Sequence, residues 1–125
     1  MTDSVIWTSP SGETFTFGIY NYKGVWNNVA GIYMFCRKNQ PQNSWVPLYI
    51  GQTDSFQARL SNHEQWLAAF LKGANAVLAA VITRKDSRDR IERDLIQQFQ
   101  PPLNQQLKTS SLKDFFPYTH RTSYR

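Results

Sequence analysis

Near the start of the chain, Thr14 to Tyr22 (TFTFGIYNY) alternates polar and aromatic positions, the two-residue period of a strand or an extended sheet edge. Two further β-rich runs, Val29 to Cys36 (VAGIYMFC) and Trp45 to Gln52 (WVPLYIGQ), flank a polar segment, RKNQPQNS, that cannot be core. Together they predict an antiparallel hairpin with a long loop. From Asp54 to Leu71 the spacing becomes helical: Phe56, Leu60, Leu67 and Leu71 share one face, Asp54 or Ser55 can cap the start, and Gly73 ends the helix. Ala76 to Thr83 (AVLAAVIT) is short and apolar, as a strand buried on both faces is, although its alanines also suit a helix. A second helix is expected from a cap at Asp86 or Ser87 to about Gln100, where Pro101-Pro102 stops it. The order β, β-hairpin, α, β, α predicts a mixed α/β fold: a small, mainly antiparallel three-stranded sheet flanked by helices, with an extra N-terminal strand.

A length of 125 residues fits one domain with one core. Within it we expect an N-terminal extension (1–28) packing on the core, a main body (29–108), and a tail (109–125) bearing Phe115, Phe116, Tyr118, His120, Arg121 and Arg125. The balance of 41% hydrophobic and 18% charged residues is that of a soluble globular protein. The longest apolar run, Ala76 to Ile82, falls far short of the roughly 20 residues that span a bilayer. No membrane association is expected, and without a visible secretory signal the expected location is cytoplasmic.

The single cysteine, Cys36, excludes an internal disulfide and a Cys-rich zinc site. With only His63 and His120 besides, any metal would be held mainly by oxygen, which favours magnesium or manganese over zinc. The six glycines form neither a phosphate loop nor a dinucleotide fingerprint, and no Gly-x-Ser-x-Gly elbow is present. The net charge of +5 is unevenly placed: residues 1–36 hold one base and two acids, whereas residues 37–125 hold 13 bases and 7 acids. Basicity confined to part of a domain suggests a polyanionic partner, nucleic acid first.

On a wheel of the second helix, Glu92 falls inside the apolar arc of Ile91, Leu95, Phe99 and Ile96. A carboxylate there needs a partner, and a salt bridge to Arg59 or another base, or an edge position from which it reaches water, would serve as well as a metal ion. Arg59 and His63 are i, i+4 neighbours on the first predicted helix and project together, although His63 also suits a hydrogen-bonded core position and Arg59 a surface one. In Gly31-Ile32-Tyr33 and Tyr49-Ile50-Gly51, tyrosines lie on paired strands and each glycine removes a side chain beside a tyrosine ring. That leaves a concave spot on a sheet face.

These two tripeptides resemble the GIY-YIG nuclease superfamily, and the likeness extends beyond them. Arg59 lies eight residues after Gly51, as in that family's YIG-x7-Arg pattern, with His63 four further on as in several members. Glu92 to Asn104 (ERDLIQQFQPPLN) looks like the family's metal-binding glutamate segment, with a Leu-Ile pair, a proline, and an asparagine twelve residues after the glutamate. The resemblance covers about residues 29 to 105. Gly-Ile-Tyr occurs twice, at 18–20 and at 31–33; Tyr33 stands 16 residues before Tyr49, a hairpin-length gap, whereas Tyr20 stands 29 before it. Tyr33 is therefore the matching tyrosine and Tyr20 a structural one, with an extended loop through Gln40-Pro41-Gln42.

The resemblance implies hydrolysis of DNA phosphodiester bonds with one divalent ion, Mg2+ or Mn2+. Glu92 would ligate the ion, Arg59 would grip the scissile phosphate, and Asn104 would brace the site. Tyr33 would position or deprotonate the attacking water, assisted by Tyr49 or His63. Such a nuclease could serve in restriction, in a mobile element, or on single-stranded or branched DNA. With no room for a separate DNA-binding domain, specificity would come from the nuclease domain itself, from a homodimer or from a partner. Trp26, Trp45 and the aromatic tail are candidates for stacking on bases. The competing expectation is a non-catalytic nucleic-acid-binding module on the same fold, which would need no metal.

Overall fold

In the computed structural model, which describes residues 3–40 and 44–109, a hairpin of β1 (Ser4–Thr8) and β2 (Thr14–Tyr20) precedes β3 (Gly31–Asn39) and β4 (Ser44–Thr53). Two helices follow, α1 (Phe56–Leu60) and α2 (Glu64–Leu71), then β5 (Ala76–Val81), α3 (Lys85–Phe99) and α4 (Pro102–Thr109). The strands form one antiparallel sheet in the order β1-β2-β5-β3-β4.

Side-chain alternation along β3 divides the core into two layers. Ile32, Met34 and Cys36 face one way and pack with Ile50, Leu78, and Ile91 and Leu95 of α3. Tyr33 and Phe35 face the other way, among Tyr49, Val77, Phe56 and Leu60 of α1, Ala69 of α2 and Leu103 of α4. The sheet is thus a middle layer, and strands buried on both faces carry near-continuous apolar runs. In the β3–β4 pair the register shifts at Phe35/Cys36, so that Leu48 has no opposite number in β3. This bulge puts Leu48 and Tyr49 in the same core layer and accommodates Pro47 on an edge strand.

The sheet has five strands where the sequence predicts three and one N-terminal addition. β2 pairs with β5, Gly18 opposite Ala79 and Tyr20 opposite Val77, and β1 adds a further edge, so Trp7 and Phe17 enter the core. The second Gly-Ile-Tyr therefore lies across β5 from the first, since Ala79 also faces Tyr33.

The predicted helix from Asp54 to Leu71 is two helices. Ser55 caps α1, its Oγ accepting from the Ala58 N–H at 3.1 Å, and the helix stops at Ser61. His63 then caps α2, its Nδ1 accepting from the Gln65 N–H at 3.0 Å. Polar side chains bonding to nearby backbone compete with helix continuation, and here they win. Because the axis restarts, Leu67 and Leu71 do not share the buried face of Phe56 and Leu60; they are 64% and 75% exposed. Gly73, at φ +102°, closes α2 as expected.

α3 begins at Lys85 after Arg84, without a side-chain cap from Asp86 or Ser87, and Gln100 ends it in the left-handed region at φ 48°. Pro101-Pro102 stops α3, but Pro102 also opens α4, which the sequence reading did not anticipate. Among the described residues no helix is long and apolar enough to cross a membrane. The loop positions 41–43 and the aromatic, basic tail beyond 109 lie outside the described residues.

Candidate active site

Tyr33 stands on β3 directly opposite Gly51 of β4. A Cβ at Gly51 would lie 2.5 Å from the Tyr33 hydroxyl, so the ring occupies the space that the missing side chain leaves. Gly31 has a different task from the one its sequence position suggests. A side chain there would strike the Ala80 carbonyl and come within 2.5 Å of the Phe56 ring, so this glycine admits α1 to the sheet rather than clearing space for a tyrosine.

Over this part of the sheet, His63 is surrounded by rings. Tyr33, Phe35 and Tyr49 lie 5.4, 4.9 and 5.2 Å from it, each roughly edge-on, and Tyr22 holds its backbone N–H through the phenol oxygen at 2.8 Å. His63 Nε2 is 2.7 Å from the Tyr33 hydroxyl. Burial first, and then the Arg59 charge, push the imidazole pKa down to about 4, so the ring is neutral near pH 7. Its Nδ1 already accepts the Gln65 N–H; the proton of the neutral ring therefore sits on Nε2, which donates to Tyr33. Tyr33 keeps its own proton, because burial above all, and then Tyr49, raise its pKa well above the ordinary tyrosine value.

This arrangement predicts a pH effect on stability. Histidine in the unfolded chain takes up a proton near 6.5 and folded His63 near 4, so the unfolded state binds more protons between those values. Stability is expected to fall as pH drops from 6.5 to 4, and His63→Asn, which keeps a capping oxygen without the titration, should flatten that slope in a series of melting temperatures. Glu64, held down to about 2 by its bond to Arg59, acts below that window, its contribution being lost as pH falls from 4.5 to about 2.

Arg59, at the end of α1, makes a bidentate pair with Glu64, the first residue of α2, at 2.9 and 2.8 Å. Arg59 and His63 are thus not i, i+4 neighbours on one helix; they flank the break between two. They still act together, since the Arg59 charge helps push the His63 pKa down and works against the larger rise at Tyr33.

Glu92 is 7% exposed on α3, and its Oε1 accepts from Gln52 Nε2 at 3.1 Å. Its charge reaches Tyr33, where it contributes to the raised pKa. Asn104 of α4 pairs with Ile50 in both directions: its Oδ1 accepts the Ile50 N–H at 2.8 Å and its Nδ2 donates to the Ile50 carbonyl at 2.9 Å. It thereby satisfies both backbone groups of a residue on an edge strand, between Tyr49 and Gly51. The structure brings Tyr33, Tyr49 and His63 into contact, places Arg59 within electrostatic reach of them, and joins Asn104 to the same strand.

Sequence reasoning missed four residues around this group. Tyr22 supports His63, Glu64 occupies Arg59, Gln52 donates to Glu92, and Arg88 donates to Gln52. Only Arg88 carried a readable signal: on the helical wheel it lies in the same apolar arc as Glu92. Of the stacking candidates, Trp26 borders an open cleft of about 530 Å³ with Tyr22, Lys23 and Gln57, while Trp45 has the Lys38 ammonium 5.3 Å above its ring.

Among the described residues no three His, Cys, Asp or Glu side chains gather into a metal cage. A hard divalent ion can take a single protein carboxylate and fill the rest of its shell with water and phosphate oxygens. Glu92, buried and held at one oxygen by an amide, fits that role.

No family model and no curated protein matches the chain. Among solved structures, it is similar to the GIY-YIG N-terminal endonuclease domain of UvrC from Thermotoga maritima, in two point mutants bound to the catalytic divalent cation. The identities are 23% and 22%, over 61% of this chain and 82% of that one, with a TM-score of 0.48 in each case.

Proposed function

We propose that the protein is a divalent-metal-dependent endonuclease that hydrolyses DNA phosphodiester bonds. The observation that carries this reading is the Tyr33–His63 hydrogen bond of 2.7 Å over Gly51, with Arg59 beside it, in the residue spacing of the GIY-YIG pattern. A buried aromatic group of this kind needs no arginine for packing; an arginine there serves an anion.

Arg59 offers a planar fork suited to two phosphate oxygens, and it now holds two carboxylate oxygens of Glu64 instead. A DNA phosphate would take Glu64's place, an exchange of one anion for another at a group that stays charged throughout. Glu92 would hold Mg2+ or Mn2+, which when bound supplies positive charge for the phosphate and the leaving oxygen. Tyr33, its oxygen accepting from His63, keeps its own O–H as a donor and would orient the attacking water. Asn104 keeps β4 in place, so that Gly51 stays beneath the Tyr33 ring. The positive excess after residue 36 draws the polyanion in.

The test is incubation of the purified protein with matched single-stranded, double-stranded and branched DNA, in Mg2+, in Mn2+ or in chelator. Cleavage with either ion and none in chelator is the expected result. Salt-sensitive binding with no cleavage under any ion would replace the nuclease by a non-catalytic binding module.

A further inference from the structure

Gln52 follows directly on Gly51, and its side chain reaches α3, where it meets an arginine, Arg88, that the proposed reaction does not use. Arg88 is only 2% exposed. Its Nη1 donates to the carbonyls of Ile82 and Thr83 at 3.0 and 2.9 Å, its Nη2 to Asp54, and its Nε to Gln52 Oε1 at 3.2 Å. Two backbone carbonyls and a carboxylate thus fix the guanidinium, and the guanidinium fixes the amide. The reverse orientation of Gln52 would set its NH2 against a cation and its oxygen against two carboxylates. In the orientation present, Nε2 donates to Glu92 Oε1 at 3.1 Å and to Asp89 Oδ1 at 2.6 Å. Asp89 is half-exposed and also pairs with Lys85 at 2.9 Å, so Glu92 is the buried recipient of that amide.

We propose that Gln52, clamped by Arg88, is the positioning residue that sets the Glu92 carboxylate for a divalent cation. The inference rests on the metal role given to Glu92 above. It also explains why three consecutive residues of β4 have separate partners: Ile50 is held by Asn104, Gly51 lies under Tyr33, and Gln52 reaches Glu92. One rigid strand segment then sets the water-orienting hydroxyl and the metal-binding carboxylate relative to each other. A ligating carboxylate whose partner is lost keeps its charge but samples more rotamers, and loss of such an outer partner costs about 10- to 100-fold in metal affinity.

The experiment is titration of the full chain with Mn2+ alone, followed by electron paramagnetic resonance, on wild type, Gln52→Met, Arg88→Lys, the double variant and Glu92→Gln, with circular dichroism to verify folding. Methionine keeps the length of the Gln52 side chain on a half-buried edge strand and removes all three of its hydrogen bonds. Gln52→Met is expected to bind Mn2+ about tenfold or more weakly. In a cleavage assay it should need correspondingly more ion for half-maximal rate while recovering its turnover at saturating ion, a split that simple destabilisation would not produce. If Arg88 acts through Gln52, the double variant should be no weaker than Gln52→Met alone. Should Arg88→Lys fail to fold, Gln52→Met decides the matter by itself. Mn2+ affinity equal to wild type in Gln52→Met, with binding lost in Glu92→Gln, would overturn the positioning role and leave the metal site standing. Additive losses in a folded double variant would overturn the clamp. Unchanged Mn2+ binding in Glu92→Gln would remove the metal site and the inference with it.

Discussion

Glu92→Gln is expected to lower metal-dependent DNA cleavage by about 10³-fold or more, since a bound ion contributes several kcal/mol to the transition state and each 1.36 kcal/mol is a factor of ten. Binding to DNA without metal should stay the same or tighten, because a negative charge near the phosphate has gone. The substitution is mild toward the fold. A glutamine at 92 retains a carbonyl oxygen to accept the Gln52 N–H, and it relieves the cost of a carboxylate that is 7% exposed. The melting temperature should therefore hold or rise. Arg59, the cation that the sequence offers as a structural partner for Glu92, is engaged by Glu64. A fall in melting temperature, with near-normal specific activity in the folded fraction, would make Glu92 a structural carboxylate and remove the proposed mechanism.

What the sequence made legible, and what it hid, follows from the range of the interactions. The β3–β4 hairpin could be read because strands buried on both faces carry long apolar runs, and because Tyr33 and Tyr49 lie a hairpin's length apart. β1 could not, because a five-residue segment bounded by Ser4 and Thr8 becomes a strand only by pairing with β2. A single helix from Asp54 to Leu71 follows from a three- and four-residue spacing that continues across the break. What interrupts it is a bond between a histidine ring and a backbone N–H two residues on, which apolar periodicity does not record. α4 was hidden by its own first residue, since a second proline that ends one helix is equally suited to begin the next.

The residue types of the candidate site were legible for a different reason. Their spacing along the chain is set by elements whose lengths vary little, so a pattern of gaps survives without knowledge of the packing. Partners across the fold have no such signature. Arg88 and Gln52 are 36 positions apart and meet only because α3 lies over the end of β4. The pairing of Arg59 with Glu64 depends on the helix break itself, which turns a residue five positions on toward the guanidinium.

The break also bears on which group handles the attacking water, and Tyr33→Phe tests that directly. Its turnover is expected to fall by roughly 10²- to 10³-fold, the range for losing a positioned proton-transfer or water-orienting group. Mn2+ affinity should be unchanged, which separates this loss from that of Glu92→Gln. The variant should also be less stable by about 1–3 kcal/mol, because the His63 Nε2–H is left buried without its acceptor. His63→Asn preserves the cap on α2 and the hydroxyl of Tyr33, so it should lose less activity than Tyr33→Phe. The pH–rate profile offers an independent check. With His63 at about 4 and the Tyr33 value raised, neither group should titrate in the free protein between about pH 6 and 9. A histidine-like step near 6.5, or a Tyr33→Phe variant that keeps its activity while His63→Asn loses it, would transfer the role from the tyrosine to the histidine.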